Sequence, residues 1–360
     1  MKKVGLFWYP TERLPYLEVA ERFRQVEQNT GNLLYIEALK NVLSTTPVAY
    51  NPKEDTEADP SECDSFVTTG LSWICENTEY PMIQSMLKRI GQKKLVPISI
   101  GIQGYAGQKT VRLHPNTVRL LMEISERCEM GIRGEYTAGI LESYGIRNMR
   151  VIGCPSLYFS LGREHRIVRQ EIQTLDHVAA NFRTFYDLLP DGERRFLRYA
   201  AQREWGFVEQ TALPLKPEHL NDPPLFEMLD GWLQRQSRVF FSVAEWREWM
   251  AGYQFAIGSR FHGNVIAMLN RTPVLFIVRD ERMAEMCRFF HLPTLLPQEF
   301  DDTKDPMFYY EKADFTEFNK TFPSLEKNYR SFLVKNGLLE RKPVWLFGRH
   351  KTMPDKVEQV

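Results

Sequence analysis

Short apolar runs bounded by glycine, proline and polar residues alternate with amphipathic stretches along nearly the whole chain, and this alternation constrains the fold more tightly than any single motif. In the first half KKVGLFWY, TPVAY, DSFVTTG, LVPISIGI, CEMGI and MRVIG read as strands, with LLYIEALKNVL, PMIQSMLKRI, TVRLLMEISERC and TAGILESYG as helices between them. Several of these strands are apolar without alternation, as strands covered on both faces are. Strands separated by helix-length segments imply parallel sheets joined by crossover helices. A basic, irregular stretch, SLGREHRIVRQEIQ at residues 160–173, interrupts the rhythm. It then restarts with DHVAANFR, GFVEQTAL, RVFFS, YQFAIGS and TPVLFIV as strands. The expected architecture is α/β, with two Rossmann-like doubly wound domains facing a cleft. They cover residues 1–170 and 171–335, and a C-terminal tail over 336–360 ends in the polar KTMPDKVEQV, expected to be disordered. Ligands of such sheets bind at the carboxyl ends of the strands, so function is sought there.

Composition narrows the partners. Lysine plus arginine equals aspartate plus glutamate, 46 against 46, without long runs of one sign, so nucleic acid is not expected as a partner. Anion recognition must be local. The cysteines, Cys63, Cys75, Cys128, Cys154 and Cys287, are odd in number and lie far apart, which suits a reducing cytoplasm better than a disulfide frame or a zinc site. The segment before Pro10 is too short for a secretory signal, and nothing reaches the roughly 18 to 20 apolar residues of a membrane span. GxxxxGK[ST], HExxH, GxSxG and Asp-any-Asp are absent. GIQGYAG at 101–107 lacks the glycine spacing of a dinucleotide loop.

Two stretches place an arginine between a strand and a helix. In GSRFHGNVIAMLN, Ser259 and the glycines allow a tight turn after FAIG, and the helix opening near His262 or Gly263 directs unpaired N–H groups toward the cleft. Arg260 adds a planar fork suited to carboxylate or phosphate, and His262 a group that titrates near neutrality. Ser259, Gly263 and Asn264 border that end and join the candidate substrate contacts. The alternative is structural: Arg260 pairs with a carboxylate across the domain interface and His262 caps the helix. In EMGIRGEYTAGILESYG, Arg133 repeats the arrangement in the first half, with a surface ion pair to Glu135 as the competing reading. Asn181 and Arg183, closing a strand in VAANFR, add candidate polar contacts. Asp280 and Glu281 lie at a further strand end; Asp280 is carried as a substrate contact, although a structural role is favoured for each. Trp8, Trp73 and Tyr105 lie near strand ends, as a sugar platform or as core.

GIRGEYTAGILESYGIRNMRVIGCPSL and GSRFHGNVIAMLNRTPVLFIVRDERMAEMCRFFHLP resemble the two best-marked segments of the polysaccharide pyruvyl transferase family. NTGNLLYIEALKNVL and DSFVTTGLSWI resemble its weaker N-terminal segments. The similarity spans most of residues 1–300 and is strongest from Arg260 to Arg282. The resemblance implies a GT-B-like fold and transfer of pyruvate from phosphoenolpyruvate to sugar hydroxyls as a ketal. The acceptor would belong to a capsule or exopolysaccharide, or to its lipid-linked precursor. It further implies that Arg133, Arg260 and His262 hold phosphoenolpyruvate. The chain departs at Asn32, where the family often has an acidic residue, and at Thr69-Gly70, where paired glycines are common. Those departures fall on the acceptor side, where Asn32 remains a candidate contact.

Arginine suits the two anions of phosphoenolpyruvate because it stays charged, and His262 suits the proton transfer. No metal or resident cofactor is expected. No carboxylate stands out as the base for the acceptor, and no oligomeric state is assigned. The basic stretch Arg163 to Arg169 or the terminal helix could make peripheral membrane contact. Alternative functions are a GT-B glycosyltransferase using a nucleotide sugar and a non-catalytic carbohydrate-binding protein of the same fold.

Overall fold

The computed structural model describes residues 3–7, 11–43, 47–49, 60–105, 107–183, 188–213 and 215–340. The first domain carries β1 (Val4–Phe7), α1 (Val19–Gln25), α2 (Asn32–Val42), β2 (Pro47–Ala49), β3 (Ser65–Thr68), α3 (Pro81–Ile90), β4 (Lys94–Pro97), α4 (Pro115–Arg127), β5 (Met130–Ile132), α5 (Glu135–Ser143) and β6 (Met149–Val151). Its sheet runs β2-β1-β3-β4, all parallel. A parallel bridge between Ile100 and Ile132 continues it to the β5-β6 pair. β1, β3 and β4 are buried almost end to end because helices cover both faces, which is why they lack a polar alternation.

The second domain carries β7 (Val178–Asn181), α6 (Asp191–Gln202), β8 (Gly206–Val208), α7 (Pro223–Gln236), β9 (Ser237–Arg238), α8 (Val243–Met250), β10 (Phe255–Gly258), α9 (Phe261–Leu269), β11 (Val274–Ile277), α10 (Glu281–Phe290), β12 (Thr294–Leu295), α11 (Pro306–Lys312) and α12 (Thr316–Lys335). Its parallel sheet has the order β12-β11-β10-β7-β8-β9. The order of strand addition reverses at β7, with β8 and β9 on one side and β10 to β12 on the other, and such a switch point opens a crevice between the loops that leave β7 and β10. Asn181 and Gly258 are register partners at its edge, and the candidate residues Arg183, Arg260 and His262 follow them directly.

Helix α12 follows the second sheet in sequence but packs against the first. Asn328 Nδ2 donates to Val151 O at 2.8 Å, and Tyr329 stacks on Tyr158 with centroids 4.2 Å apart. Buried Asn336 donates to Glu129 O at 3.1 Å. A stacked aromatic pair contributes about 1 kcal/mol beyond area burial, so this return crossing ties the two domains together. Within the span assigned as tail, Asn336 and Leu338 are therefore packed; residues 341–360, with KTMPDKVEQV, lie outside the described residues. The basic stretch is strapped down as well. Asn319 bonds both Ile167 N and Ile167 O, and Tyr310 Oη bonds both Gln170 N and Gln170 O. Among the described residues, no helix is long and apolar enough to cross a membrane.

Candidate functional site

Loops from the carboxyl ends of both sheets converge. The first domain contributes Thr69 after β3, Ser99 after β4, Arg133 after β5 and Cys154 after β6. The second contributes Asn181 to Arg183 after β7, Glu209 and Gln210 after β8, Ser259 to His262 after β10, and Arg279 to Arg282 after β11.

The turn after β10 is built by two asparagines. Asn181 Oδ1 accepts the backbone N–H of Arg260 at 2.9 Å, and Asn181 Nδ2 donates to Asn264 Oδ1 at 2.7 Å. Asn264 Nδ2 donates in turn to Gly258 O at 2.9 Å. Both amides are buried and engaged with the protein, so they shape the turn, whereas the sequence assigned them to substrate. Arg260 then stands at the N-cap of α9 and its guanidinium crosses the interface, where Nη2 donates to Asn29 Oδ1 at 3.2 Å. One cross-domain partner is thus an amide. Burial brings the Arg260 pKa down to about 10, as do Arg183, Arg282 and Arg279, while Glu209 opposes them. It is still fully charged at pH 7.

His262 lies in the first turn of α9. Its Nε2 is 3.5 Å from Cys154 Sγ of the first domain, and its ring is 5.6 Å from that of Tyr35. Burial, reinforced by Arg133, Arg282 and Arg260, holds the imidazole pKa well below its ordinary value. The sequence pointed to a group titrating near neutrality; burial, aided by the neighbouring guanidiniums, favours the neutral imidazole instead.

Arg133 is only 2 % exposed, and its Nε donates to Ser99 Oγ at 3.0 Å. Ser99 has a left-handed φ of 68°, a strained backbone for a serine of the kind found at functional sites. Burial, then Arg282, lowers the Arg133 pKa to about 10. Glu135 is exposed, and the carboxylate facing the α5 end is Glu285 of α10. Glu285 Oε2 accepts Thr137 N at 2.8 Å and Oε1 accepts Thr137 Oγ1 at 2.7 Å. The approach requires glycine at 134, where an added Cβ would lie 2.6 Å from Glu285 Cβ. Burial raises the Glu285 pKa to about 7, against the Thr137 bonds and the charges of Arg133 and Arg282.

Arg282 reaches from α10 to the cleft mouth. Its Nε donates to Gln103 Oε1 at 3.2 Å, and its guanidinium lies 5.5 Å from the centroid of Trp73. Trp73 is 51 % and Tyr105 85 % exposed, so neither belongs to the core. Trp8 lies outside the described residues. Arg133, Arg183, Arg260, Arg279 and Arg282 repel one another across the cleft, while Glu193, Glu209 and Glu285 are each pushed toward the neutral acid by burial. Arg279 is ion-paired with Glu193 at 2.5 Å, and the guanidiniums named here outnumber the carboxyl groups, which leaves an excess of positive groups at the gap. Ser259 Oγ, Gln210 Nε2, Thr30 Oγ1 and Thr69 Oγ1 are buried without a hydrogen-bond partner among the described residues. Such an atom costs roughly 1–3 kcal/mol, and four on loops of one cleft point to a polar ligand or solvent completing them.

Other candidates are engaged by the protein itself. Asp280 Oδ1 caps α10 through Met283 N at 2.8 Å. Asn32 Nδ2 donates to Val26 O at 3.0 Å, a bond an aspartate could not make. Gly263 is buried against Asn181 and Gln210. Glu281 Oε1 accepts Gly107 N at 3.0 Å and Glu281 N donates to Gly104 O at 3.2 Å, so the GIQGYAG loop clasps α10. The sequence reading missed Arg282, Glu285, Gln210, Asn29 and Cys154 as contributors. Among the described residues, no group of three or more His, Cys, Asp or Glu is placed to hold a metal.

A profile described as polysaccharide pyruvyl transferase matches residues 29–281, a span that takes in Arg133, Arg260 and His262. The chain belongs to the polysaccharide pyruvyl transferase family. In fold, this pyruvyl transferase family member is similar to the UDP-bound MnaA of S. aureus, at 10 % identity over 95 % of this chain and 99 % of that one, with a TM-score of 0.50. UDP-GlcNAc 2-epimerase from Neisseria meningitidis, bound to UDP-GlcNAc, matches at 14 % identity over 93 % and 100 % of the two chains, with a TM-score of 0.47. An uncharacterised protein from Klebsiella pneumoniae matches at 13 % identity over 80 % and 88 %, with a TM-score of 0.43. No curated protein matches the chain. The fold is of the GT-B type.

Proposed function

We propose that this protein transfers pyruvate from phosphoenolpyruvate to two hydroxyls of one sugar, forming a ketal and releasing phosphate. The acceptor is a sugar of a cell-surface polysaccharide or of its lipid-linked precursor, the latter met at the inner face of the membrane. The reading is carried by His262 at the opening of α9 beside Arg260, with Arg133 and Arg282 close enough that they and burial hold its pKa below the ordinary value. A small ligand with a carboxylate and a phosphate matches these positive groups, and arginine forks bind both groups in bidentate fashion.

The same charges suggest how the proton is handled. A bound dianion offsets the guanidiniums that depress His262, so its pKa rises and it takes a proton from solvent. The imidazolium gives that proton to the methylene carbon of the donor, which becomes a methyl group, and C2 becomes electron-deficient. A sugar hydroxyl forms a C–O bond to C2 and returns its proton to His262. A second hydroxyl forms the other C–O bond as the C2–O bond to phosphate breaks, phosphate leaving with the electron pair and the second hydroxyl proton. Trp73, exposed beside Arg282, and the exposed Tyr105 offer ring faces for the acceptor. The arginines take the part a metal plays in other phosphate-handling sites, so activity should survive chelation.

The test is incubation with phosphoenolpyruvate and a bacterial exopolysaccharide fragment, following phosphate release and the new ketal methyl signal by NMR. Stoichiometric appearance of both supports the proposal. Phosphate release without the methyl signal, or binding of UDP but not phosphoenolpyruvate in calorimetry, overturns it.

A further inference from the structure

His262 makes one polar contact among the described residues, and it is with a thiol. Cys154 follows β6 in the turn Gly153-Cys154-Pro155-Ser156, where Gly153 takes a left-handed φ of 73°. Its Sγ is 3.1 Å from Ser156 Oγ and 3.5 Å from His262 Nε2, and both Cys154 and Ser156 are completely buried. The other groups facing the imidazole are Arg133 from the α5 end, Arg282 from α10, Arg260 from its own turn and the ring of Tyr35 from α2. None of these supplies a carboxylate. Which nitrogen of a histidine carries the hydrogen is set by the bond the other nitrogen makes.

From this arrangement we infer that Cys154 is a positioning residue that fixes the ring and tautomer of His262. Nε2–H donates to Sγ, and the thiol hydrogen passes to Ser156 Oγ. Nδ1 then keeps its lone pair. Nδ1 is then the nitrogen that gains and gives the proton in the transfer proposed above, on which the kinetic part of this inference rests. A thiol orients the imidazole without adding charge, whereas a carboxylate in its place would favour the imidazolium.

Two arms test it. The first needs no substrate: ¹⁵N NMR of histidine-labelled protein, with His262 assigned by difference against His262→Asn. The wild type should show the Nε2–H tautomer, and Cys154→Ala a mixture of both tautomers. The second arm is kinetic. Cys154→Ala should lower kcat about 10- to 100-fold with the KM for phosphoenolpyruvate unchanged, and Cys154→Ser, which keeps a donor and an acceptor, should restore most of the loss. Cys154→Asp should move the His262 limb of the pH profile upward by about one to three pH units. An Nδ1–H tautomer in the wild type, or a Cys154→Ala variant with unchanged kcat, pH profile and ¹⁵N shifts, overturns the inference. If the wild type transfers no pyruvate, the transfer reading fails while the tautomer arm still decides the role of Cys154. Should Cys154→Ala not fold, Cys154→Ser and the wild-type spectrum carry the test.

Discussion

The turns that open α5 and α9 begin alike, each with an arginine after a parallel strand and a helix of nine residues behind it. They end differently. At α5 the protein supplies its own carboxyl group: Glu285 from the opposite domain accepts the N–H and hydroxyl of Thr137 beside Arg133. At α9 the arginine reaches the amide of Asn29 and lies within the field of Glu209, and Ser259 Oγ and Gln210 Nε2 nearby are buried without partners among the described residues. A helix N-terminus already holding a carboxyl group serves as a joint between domains, whereas one with spare donors remains available to an external anion. The same motif thus carries two roles, latch and receptor, and the difference lies in what the other domain brings to it.

This contrast predicts an order of effects. His262→Ala should lower transfer by about 10²–10⁴-fold and Arg260→Ala by about 10²–10³-fold, with thermal unfolding nearly unchanged in both. Loss of the fold in either would make the α9 turn structural after all. Arg133→Ala should differ in kind, reducing transfer and also destabilising the protein by about 2 kcal/mol, because it removes a buried cation from beside Ser99 and Glu285. Denaturant titrations of Arg133→Ala and Arg260→Ala side by side measure that difference.

The latch should also be sensitive to pH. The Glu285 carboxyl is raised in the folded protein to about 7, so its contribution to stability is fully present below its unfolded value near 4.5 and is lost as pH rises through about 7. The loss is on the order of 3 kcal/mol between those limits. Glu285→Gln keeps an acceptor for Thr137 N and removes the charge, so its stability should stay level over the range in which the wild type declines. Equal slopes would show that the Glu285 carboxyl titrates alike in the folded and unfolded chains, so that burial in the latch does not raise it. The smallest effect is expected at Asn32→Asp, where loss of the bond to Val26 O costs about 1 kcal/mol and transfer is unaffected.

How much of this could be read from residue order varied with the range of the interaction. Strand and helix alternation is local, so the paired doubly wound sheets were legible, as were Arg133, Arg260 and His262 at strand ends. The return of α12 to the first sheet was not, because an amphipathic helix shows that it has a partner but not which one. Glu285 was hidden for a related reason. It lies about 200° around α10 from Met283, on the side away from the apolar residues Met283, Met286, Cys287 and Phe290, and so reads as solvent-facing. That side is buried only because the other domain covers it. Asn181 and Asn264 attract a ligand reading as polar residues at a strand end, yet their amides are spent on the turn they build. The lowered pKa of His262 depends first on burial between the domains and then on Arg133, Arg282 and Arg260 from three separate segments, a sum that no single stretch contains.

Calorimetric titration of phosphoenolpyruvate into the wild type, Arg260→Ala and Glu285→Gln tests the central claim most directly. The account predicts binding to the wild type, at least about tenfold weaker binding to Arg260→Ala, and nearly unchanged binding to Glu285→Gln. Equal affinity in the wild type and Arg260→Ala, with affinity lost in Glu285→Gln, would place the donor at the α5 end and contradict it.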